Sequence, residues 1–371
     1  MALLKQRKVL LTLETHPMST WPDTRILDLL GIDVPIIQAP MAGATTPAMV
    51  IAANQAGALG SMPAAALSIE QLREALSTLR QSSKGPINVN FFCHQTPIAD
   101  QARDQRWKAL LEPYYRELGA DFDAPTPVSN RAPFNEAACT VVEEFRPEVV
   151  SFHFGLPEKA LLDRVKATGA KVLSSATTVE EAIWLEQHGC DAIIAMGFEA
   201  GGHRGIFLSD DLNTQIGLMA LVPQIVDAVK VPVIAAGGIG DARGIVAAFA
   251  LGASAVQIGT AYLFTPEANV SASHQHALRH AQASETALTN LFTGRPARGI
   301  VNRVMRELGA INPAAPAFPT SGGVLMPLKA KDEAGFSNLW AGQALRLGKD
   351  ISSYDLTRQL AEQALAKLKR N

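Results

Sequence analysis

Eight short apolar runs recur along most of the chain, separated by longer stretches with helical periodicity. Within each run the apolar residues are consecutive instead of alternating with polar ones, which indicates strands buried on both faces, as in a parallel sheet. The runs occupy residues 34–40, 57–62, 86–92, 148–155, 171–176, 192–197, 231–238 and 255–263. A chain with this pattern is expected to fold around a parallel sheet whose outer face is covered by helices.

Helices are predicted between these strands, at 68–81, 158–169, 178–189 and 241–252. Two of them begin with capping-box spacing, in which a serine or threonine is followed three residues later by glutamine or glutamate. These pairs are Ser68 with Gln71 and Thr178 with Glu181. Glycines stand where three of the helices should end, at Gly169, Gly189 and Gly252.

Eight strand–helix units predict a TIM (β/α)8 barrel with a helical insertion after strand eight. The alternative is a doubly wound open sheet, but no G-x-G-x-x-G follows the first strand. We expect an N-terminal extension (1–25), the barrel (26–265), the insertion (266–340) and a C-terminal helix that closes the barrel (341–371). Residues 94–147 are also long for a crossover. The active site of such a barrel lies at the carboxyl ends of its strands, so both long segments are expected to roof it.

The composition excludes several classes of protein. With 47% hydrophobic and 18% charged residues, the chain can bury a large core and is not disordered. A formal net charge of −2 predicts no nucleic-acid partner and no binding to an anionic membrane.

The sequence predicts a cytoplasmic protein. No stretch approaches the ~20 apolar residues of a membrane span, and the first residues hold only the short apolar run VLLTL, too short for a secretory signal. The three cysteines are widely spaced and form no redox or metal pair, which is typical of a reducing compartment. Met18 opens a plausible true start, so residues 1–17 are expected to be an upstream extension.

A phosphate site is predicted where the last two barrel strands end. AAGGIGDARG and LGASAVQIGTAYL provide glycine-rich turns at the two positions where such barrels bind phosphate. Glycine backbones approach a phosphate closely and direct N–H groups at it, and the Thr260 hydroxyl adds a donor. The alternative is that Gly237, Gly238 and Gly259 only form tight barrel turns.

His203 is the principal catalytic candidate. It lies in GFEAGGHRG at the end of a strand, where glycines leave room for a ligand beside the ring. His153, between Phe152 and Phe154, is either a second active-site histidine or a core histidine. Arg204 either attracts an anionic substrate or forms a structural ion pair.

Other polar residues have weaker patterns. His274, His276 and His280 are at helical spacing without a carboxylate or thiol to complete a metal site, so we expect a solvated helix face and no metal. Lys329 is a candidate for contacting the carboxylate of an anionic substrate.

Six motifs together resemble the class I nitronate monooxygenases, formerly called 2-nitropropane dioxygenases. In chain order they are IIQAPMAG, NVNFF, SFHFG, GFEAGGHRG, PVIAAGGIGDARG and VQIGTAYL. The resemblance covers about residues 26–265, and the last hundred residues match only loosely, through NLWAGQA. It implies an FMN-dependent barrel that oxidises alkyl nitronates of the propionate 3-nitronate type with O2, giving a carbonyl product and nitrite.

The resemblance also implies roles for individual residues. His203 resembles the catalytic histidine of the family and His153 its second one. The cofactor-binding residues implied are Ala39, Pro40 and Met41 at the flavin ring, Asn90 hydrogen-bonded to it, Gly201 and Gly202 beside it, Gln257 at the end of strand eight, and Gly237, Gly238, Gly259 and Thr260 at the phosphate. Met196 stands where relatives often have glutamine, so a flavin-contacting amide is replaced by a thioether. Since tyrosine is scarce, Phe318 is expected to form the aromatic substrate wall.

Two other functions remain open from the sequence. One is an NAD(P)H-dependent FMN enoyl-acyl-carrier or quinone reductase of the same superfamily, which also places a histidine after a glycine pair. The other is a flavin-binding sensor without turnover. The expected partners are a small nitronate and O2, with the protein acting as a monomer or homodimer.

Overall fold

The protein is built around an eight-stranded parallel sheet. The structure, a computed structural model, describes residues 21–127, 129 and 131–370. The upstream extension proposed for residues 1–17 therefore lies outside the described residues. In chain order the strands are β1 Ile36–Gln38, β2 Gly60–Pro63, β3 Ile87–Phe92, β4 Val149–His153, β5 Lys171–Ala176, β6 Ala192–Met196, β7 Gly202–His203, β8 Val233–Ala236, β9 Ala255–Ile258, β10 Thr286–Thr289 and β11 Ala297–Ile300.

The sheet closes on itself. Its strand order is β1-β9-β8-β6-β5-β4-β3-β2, and a parallel bridge between Ile37 and Leu59 joins the two ends. Across this bridge the amide of Leu59 donates to the Ile36 carbonyl at 3.0 Å, and the amide of Gln38 donates to Leu59 at 2.9 Å. The predicted TIM barrel is confirmed, and the open doubly wound sheet is excluded.

Side chains alternate between the inside and the outside of the barrel. Ile36, Val172 and Ile193 belong to a cluster that includes the surrounding helices. Their neighbours Ile37, Leu173 and Ile194 form a separate cluster with residues of α1. Because both clusters are apolar, each strand reads as a continuous hydrophobic run, as the sequence indicated.

The described helices are α1 Arg25–Leu30, α2 Pro47–Gln55, α3 Ile69–Ser82, α4 Gln101–Leu118, α5 Glu136–Phe145, α6 Lys159–Ala167, α7 Val179–Gln187, α8 Leu218–Ala228, α9 Ala242–Ala250, α10 Ala272–His280, α11 Arg303–Leu308, α12 Met326–Lys329, α13 Glu333–Phe336 and α14 Ser353–Leu368. Of these, α2, α3, α5 to α9 and α14 cover the outer face of the barrel, because their buried residues share a cluster with Ile36, Val172 and Ile193. The four helices predicted between strands are present as α3, α6, α7 and α9. The final helix, α14, packs against α9 and α2.

Only one of the two predicted capping boxes forms. Ser68 and Gln71 bond reciprocally at the start of α3. Thr178 caps α7 by accepting from the Glu181 amide. The buried Glu181 carboxylate does not complete the box: it accepts from the amide and hydroxyl of Thr177 and from the amide of Phe207, all at 2.7 Å. Glu181 therefore fastens the chain beyond β7 to the barrel.

The two long segments pack against each other and form a second core above the barrel. Trp107 and Tyr115 of α4 lie in one apolar cluster with Leu325 and Phe336 of the insertion after β9. The Trp107 indole donates to the Ser321 carbonyl at 3.0 Å, and the Tyr115 hydroxyl donates to the Val324 carbonyl at 2.6 Å. Both long segments contribute residues to the cavity described below.

The insertion after β9 also contains strands, which the sequence analysis did not anticipate. It holds α10 to α13 as well as β10 and β11. These two strands form an antiparallel sheet with β7, in the order β10-β11-β7. Ala297 pairs with His203 and Arg298 pairs with Gly202. The insertion is thereby hydrogen-bonded directly to the segment that carries the principal catalytic candidate.

Candidate active site

A cavity of about 540 Å³ lies at the carboxyl ends of the barrel strands, beneath the two long segments. The residues that the sequence analysis assigns as catalytic or cofactor-binding all line it. These are Ala39, Pro40, Met41, Asn90, His153, Met196, Gly201, Gly202, His203, Gly237, Gly238, Gln257, Gly259 and Thr260. The fold brings these residues to one place, while their individual roles remain predictions. This space is called the main cavity below.

The loop after β1 is held by buried polar side chains. Gln38 is fully buried; its amide nitrogen lies 3.2 Å from Thr45 Oγ1 and its amide oxygen accepts from the Ser61 amide at 3.0 Å. The Thr45 hydroxyl in turn accepts from the Met41 amide at 3.0 Å. The backbone from Ala39 to Met41 is therefore fixed against the cavity, where the sequence predicts the flavin ring.

Asn90 is oriented by the neighbouring strand. Its amide nitrogen donates to Ser151 Oγ at 3.0 Å and lies 3.3 Å from the Ser151 carbonyl oxygen. Those bonds use the donor end of the amide and leave its oxygen as an acceptor in the cavity wall. An acceptor there suits a ligand that carries a ring N–H.

His203 is anchored at one ring nitrogen. Nε2 lies 2.9 Å from Thr293 Oγ1. The Thr293 hydroxyl donates to the Arg295 carbonyl at 3.4 Å. With the hydroxyl proton assigned to this long contact, Thr293 accepts from Nε2–H of the imidazole, and the lone pair of the neutral ring is then assigned to Nδ1.

The surroundings of His203 keep the ring neutral. The ring centres of Phe92, Phe154, Phe318 and Trp340 lie 5.8, 6.0, 5.3 and 5.7 Å from that of His203. Burial lowers the pKa of His203 well below its usual value, and the nearby Arg131 guanidinium lowers it further. The imidazole is therefore in its basic form at neutral pH.

His153 is engaged at both ring nitrogens. Nδ1 lies 2.6 Å from Ser175 Oγ, and Nε2 lies 3.1 Å from the backbone carbonyl oxygen of His203. Burial lowers the pKa of His153 to about 4, so this ring is also neutral at pH 7. The bond to the His203 backbone connects β4 with β7 across the cavity wall.

The glycine turns after β8 and β9 have backbone conformations that suit close approach by a ligand. Gly237 and Gly238 have φ of +115° and +68°, a region that side chains rarely adopt. Thr260 Oγ1 accepts from the Gly342 amide at 2.9 Å, so its own proton is free to donate into the cavity. This donor set fits a phosphate group.

Gly202 leaves further room in the same wall. Its φ is +72°, and a Cβ added there would meet no atom within 4 Å. A glycine at this position thus keeps open space that a side chain would fill, beside the predicted path of the cofactor.

Arg204 does not line the main cavity, and it pairs with no carboxylate in the part of the chain that the structure describes. It is fully buried, and its guanidinium donates to the carbonyls of Met196 and Gly197 at 2.8 and 2.6 Å and to Gln215 Oε1 at 2.8 Å. Arg204 therefore holds the backbone of the loop between β6 and β7 in place. Nothing in the sequence distinguishes such a residue from a substrate-binding arginine.

The histidine face of α10 also differs from the expectation. His274 lines the main cavity, and its Nε2 lies 3.1 Å from the Trp340 carbonyl oxygen. His276 and His280 are exposed and stack on each other at 4.1 Å. The insertion folds one side of α10 over the cavity, so only part of this helix face is solvated.

The chain is similar to known proteins along most of its length. The family model described as nitronate monooxygenase matches residues 23–363. A nitronate monooxygenase of Pseudomonas aeruginosa is 41% identical over 349 residues, covering 91% of this chain and 98% of that protein.

The chain belongs to the nitronate monooxygenase family.

Solved structures of similar proteins have the same architecture. A nitroalkane oxidase from Streptomyces ansochromogenes matches with a TM-score of 0.83 and 35% identity, covering 93% of this chain and 99% of its own. FabK from Thermotoga maritima matches with a TM-score of 0.70 and 26% identity, covering 95% and 98%. The match to the nitronate monooxygenase family extends beyond the barrel into the insertion, where the motifs recognised in the sequence were sparse.

Sequence reasoning missed several residues that shape this nitronate monooxygenase site. Thr293, Ser175 and Trp340 contact the two histidines, and Arg131 lines the cavity. Only Trp340 had a signal, in NLWAGQA. Phe318, the predicted aromatic wall, packs on His203 but does not line the main cavity; Phe92 and Trp340 do. Phe318 instead packs in the buried cluster that it forms with Phe92 and Phe154.

No group of three histidine, cysteine or acidic side chains within residues 21–127, 129 and 131–370 is arranged to hold a metal ion. Within the same part of the chain, no helix has both the length and the apolar composition needed to cross a bilayer.

Proposed function

We propose that this protein oxidises alkyl nitronates with molecular oxygen, using FMN, and releases a carbonyl compound and nitrite. The observation that carries the proposal is the position of His203: a neutral imidazole lines the same cavity as backbone and hydroxyl donors for a single phosphate. Membership of the nitronate monooxygenase family favours this reaction over that of a reductase or a sensor.

FMN fits the residues that line the main cavity. The backbone of Gly237, Gly238 and Gly259 with the Thr260 hydroxyl would hold the phosphate. Ala39 to Met41 would face the ring, and Asn90 would accept a hydrogen bond from it. Met196, Gly201, Gly202 and Gln257 complete the lining. When bound, FMN accepts electrons from the substrate and transfers them to oxygen.

The side chains of the protein orient the substrate and move its proton. The lone pair on His203 Nδ1 would accept the carbon-bound proton of a neutral nitroalkane, whereas a nitronate arrives without that proton. Phe92 and Trp340 exclude water on the side of the cavity where the substrate would lie. His153, with both nitrogens occupied, positions the backbone of His203 and does not move a proton itself.

Anaerobic mixing tests the proposed reaction. The purified yellow protein is mixed without oxygen with ethyl nitronate and, separately, with NADPH. Bleaching of the flavin spectrum by the nitronate alone is expected; bleaching by NADPH alone would assign the protein to the reductases instead. Mass spectrometry of the heat-released chromophore should give FMN, and adenine in that fraction would contradict the cofactor assignment.

We further propose that the protein works in the cytoplasm as a monomer or homodimer. The absence of disulfides among Cys93, Cys139 and Cys190, all free thiols, supports a reducing compartment. We assign each segment one role: residues 26–265 bind the cofactor, residues 266–340 cover the site, and residues 341–371 close the barrel. Gel filtration with light scattering measures the oligomeric state.

A further inference from the structure

Arg131 faces the main cavity without an acidic partner. Among residues 21–127, 129 and 131–370, no carboxylate forms an ion pair with its guanidinium. Burial lowers the pKa of Arg131. The side chain is half-buried, and an anionic ligand in the cavity would pair with its charge.

Two neighbouring arginines, Arg295 and Arg298, are engaged with backbone, whereas Arg103, which lines the second cavity with Arg131, has a buried Nε without a partner among the described residues. Arg295 donates to the Ile206 carbonyl at 2.9 Å and lies 4.5 Å above the Phe154 ring. Arg298 donates to the Phe198 carbonyl at 3.0 Å. These two guanidiniums hold backbone in place, as Arg204 does, so they have structural work that Arg131 lacks.

Arg131 also lies where two cavities meet. A second cavity, of about 850 Å³, lies between the segment after β3 and residues 316–320, and Arg131 lines both cavities. His94 lines the second cavity beside it, and both ring nitrogens of this buried side chain lack a hydrogen-bond partner among the described residues. Buried polar atoms are rarely left unsatisfied, so the unpartnered His94 imidazole beside the Arg131 charge points to a polar ligand between them.

The protonation state of His94 suits an anion. Burial lowers the pKa of His94 to about 4, and the positive charges of Arg295 and Arg131 lower it further. The backbone of Arg131 lies close enough to raise this pKa slightly, but it forms no hydrogen bond with the ring. The neutral ring retains one N–H donor. An anion between the two side chains would receive hydrogen bonds from both.

The position in the barrel separates this junction from the predicted phosphate site. Arg131 lies in the segment after β3, and β3 stands four strands from β8 in the ring order. It is therefore across the barrel from Gly237 and Gly238. An anion bound at Arg131 would belong to the substrate and not to the cofactor.

We propose that Arg131, assisted by His94, binds an anionic group at the end of the substrate remote from the reacting carbon. This inference rests on the proposed nitronate oxidation and assigns the specificity-determining residue for substrates that carry a carboxylate. A guanidinium presents paired N–H donors that match the two oxygens of a carboxylate. Lys329 is the competing candidate in the main cavity, where Glu333 lies near it; Asp100 and Asp104 line the second cavity together with Arg131.

The test compares two nitronates of equal carbon number in the flavin-loaded enzyme: propionate 3-nitronate and propyl nitronate, which lacks the carboxylate. Arg131→Met should raise the KM for the carboxylated substrate about tenfold or more, because a hydrogen bond to a charged group is lost. Its kcat, and both constants for propyl nitronate, should stay within about threefold. The KM of Arg131→Lys for the carboxylated substrate should lie between those of the parent and of Arg131→Met. The exposed Arg106→Met is the matched control.

Binding of succinate, measured by calorimetry, provides a readout that needs no turnover. Arg131→Met should weaken it by about tenfold or more, and if that variant misfolds, Arg131→Lys is measured instead. Equal losses on both nitronates, unchanged succinate binding, or a selective loss in Lys329→Met alone would overturn the proposal. If neither nitronate is oxidised but succinate binding depends on Arg131, the proposed function fails and the anion site stands.

Discussion

The Nε2 atom of His153 lies 3.1 Å from the backbone carbonyl oxygen of His203. A carbonyl only accepts, so Nε2 carries the proton, and Nδ1 of the neutral ring then accepts from the Ser175 hydroxyl at 2.6 Å. His153 is locked in one tautomer with no free lone pair. Of these two histidines, His153 holds the backbone of His203, and only His203 retains a ring nitrogen without a partner among the described residues.

Replacing His203 by asparagine should separate two kinds of substrate. General-base loss typically costs ~10²–10⁴-fold, so nitroethane turnover should fall by that order, while ethyl nitronate, which has no proton to lose, should be affected much less. Oxygen consumption with the two substrates measures this, with the exposed His276→Asn as control. Equal losses on both substrates would show that His203 positions the substrate or tunes the flavin.

The pH dependence of nitroethane turnover should reflect the lowered pKa of His203. Burial and the charge of Arg131 both disfavour the protonated ring, so the base stays active as the pH falls through 6.5, the usual histidine value. We expect kcat/KM to decline only at lower pH. Arg131→Met removes a neighbouring positive charge, so the decline should begin at higher pH than in the parent. A parent midpoint at or above 6.5 would contradict the assignment.

Acid should destabilise the fold through His153. Its folded-state pKa of about 4 lies below the unfolded value near 6.5, so the unfolded chain binds the extra proton between those values. Stability is therefore complete above pH 6.5 and falls as the pH drops towards 4. Thermal midpoints measured across this range should fall less steeply in His153→Gln. An unchanged slope would mean that the ring is accessible to protons in the native state.

Valine at Gly238 should release the flavin and spare the barrel. The residue has φ +68°, and an added Cβ would lie 3.4 Å from Glu199 Cβ at the predicted phosphate site. Gly169→Val is a matched control, since its φ is +93° and its Cβ would meet nothing within 4 Å, away from the cavity. Flavin absorbance and circular dichroism of both variants are compared. Full flavin content in Gly238→Val would place the phosphate elsewhere.

Methionine at Arg204 should destabilise the protein by about 3 kcal/mol or more, because buried carbonyls lose their donors. The guanidinium bonds to Met196 and Gly197 hold the loop that leads to His203. Urea unfolding gives the free energy, and Arg106→Met, an exposed arginine, serves as control. A loss below about 1 kcal/mol would show that the carbonyls find water or other donors.

Local pattern was sufficient to predict the barrel and the residues at its strand ends. Consecutive apolar residues such as those of Ile193 to Ala195 mark a strand buried on both faces, and this property depends only on neighbours in the chain. Residues at the carboxyl ends of parallel strands necessarily meet at one edge, so Asn90, Gly238 and His203 could be placed together without coordinates.

The partners of those residues depended on tertiary structure. Thr293 reaches His203 because β11 pairs with β7, a register between segments about ninety residues apart that short-range periodicity does not encode. The sequence by itself determined the barrel, its glycine turns and the place of its candidate catalytic histidine, because each follows from local pattern or motif. Only the tertiary structure decided which nitrogen of His203 is free and that Arg204 holds backbone in place while Arg131 faces the cavity, because burial and hydrogen-bond partners arise from long-range packing.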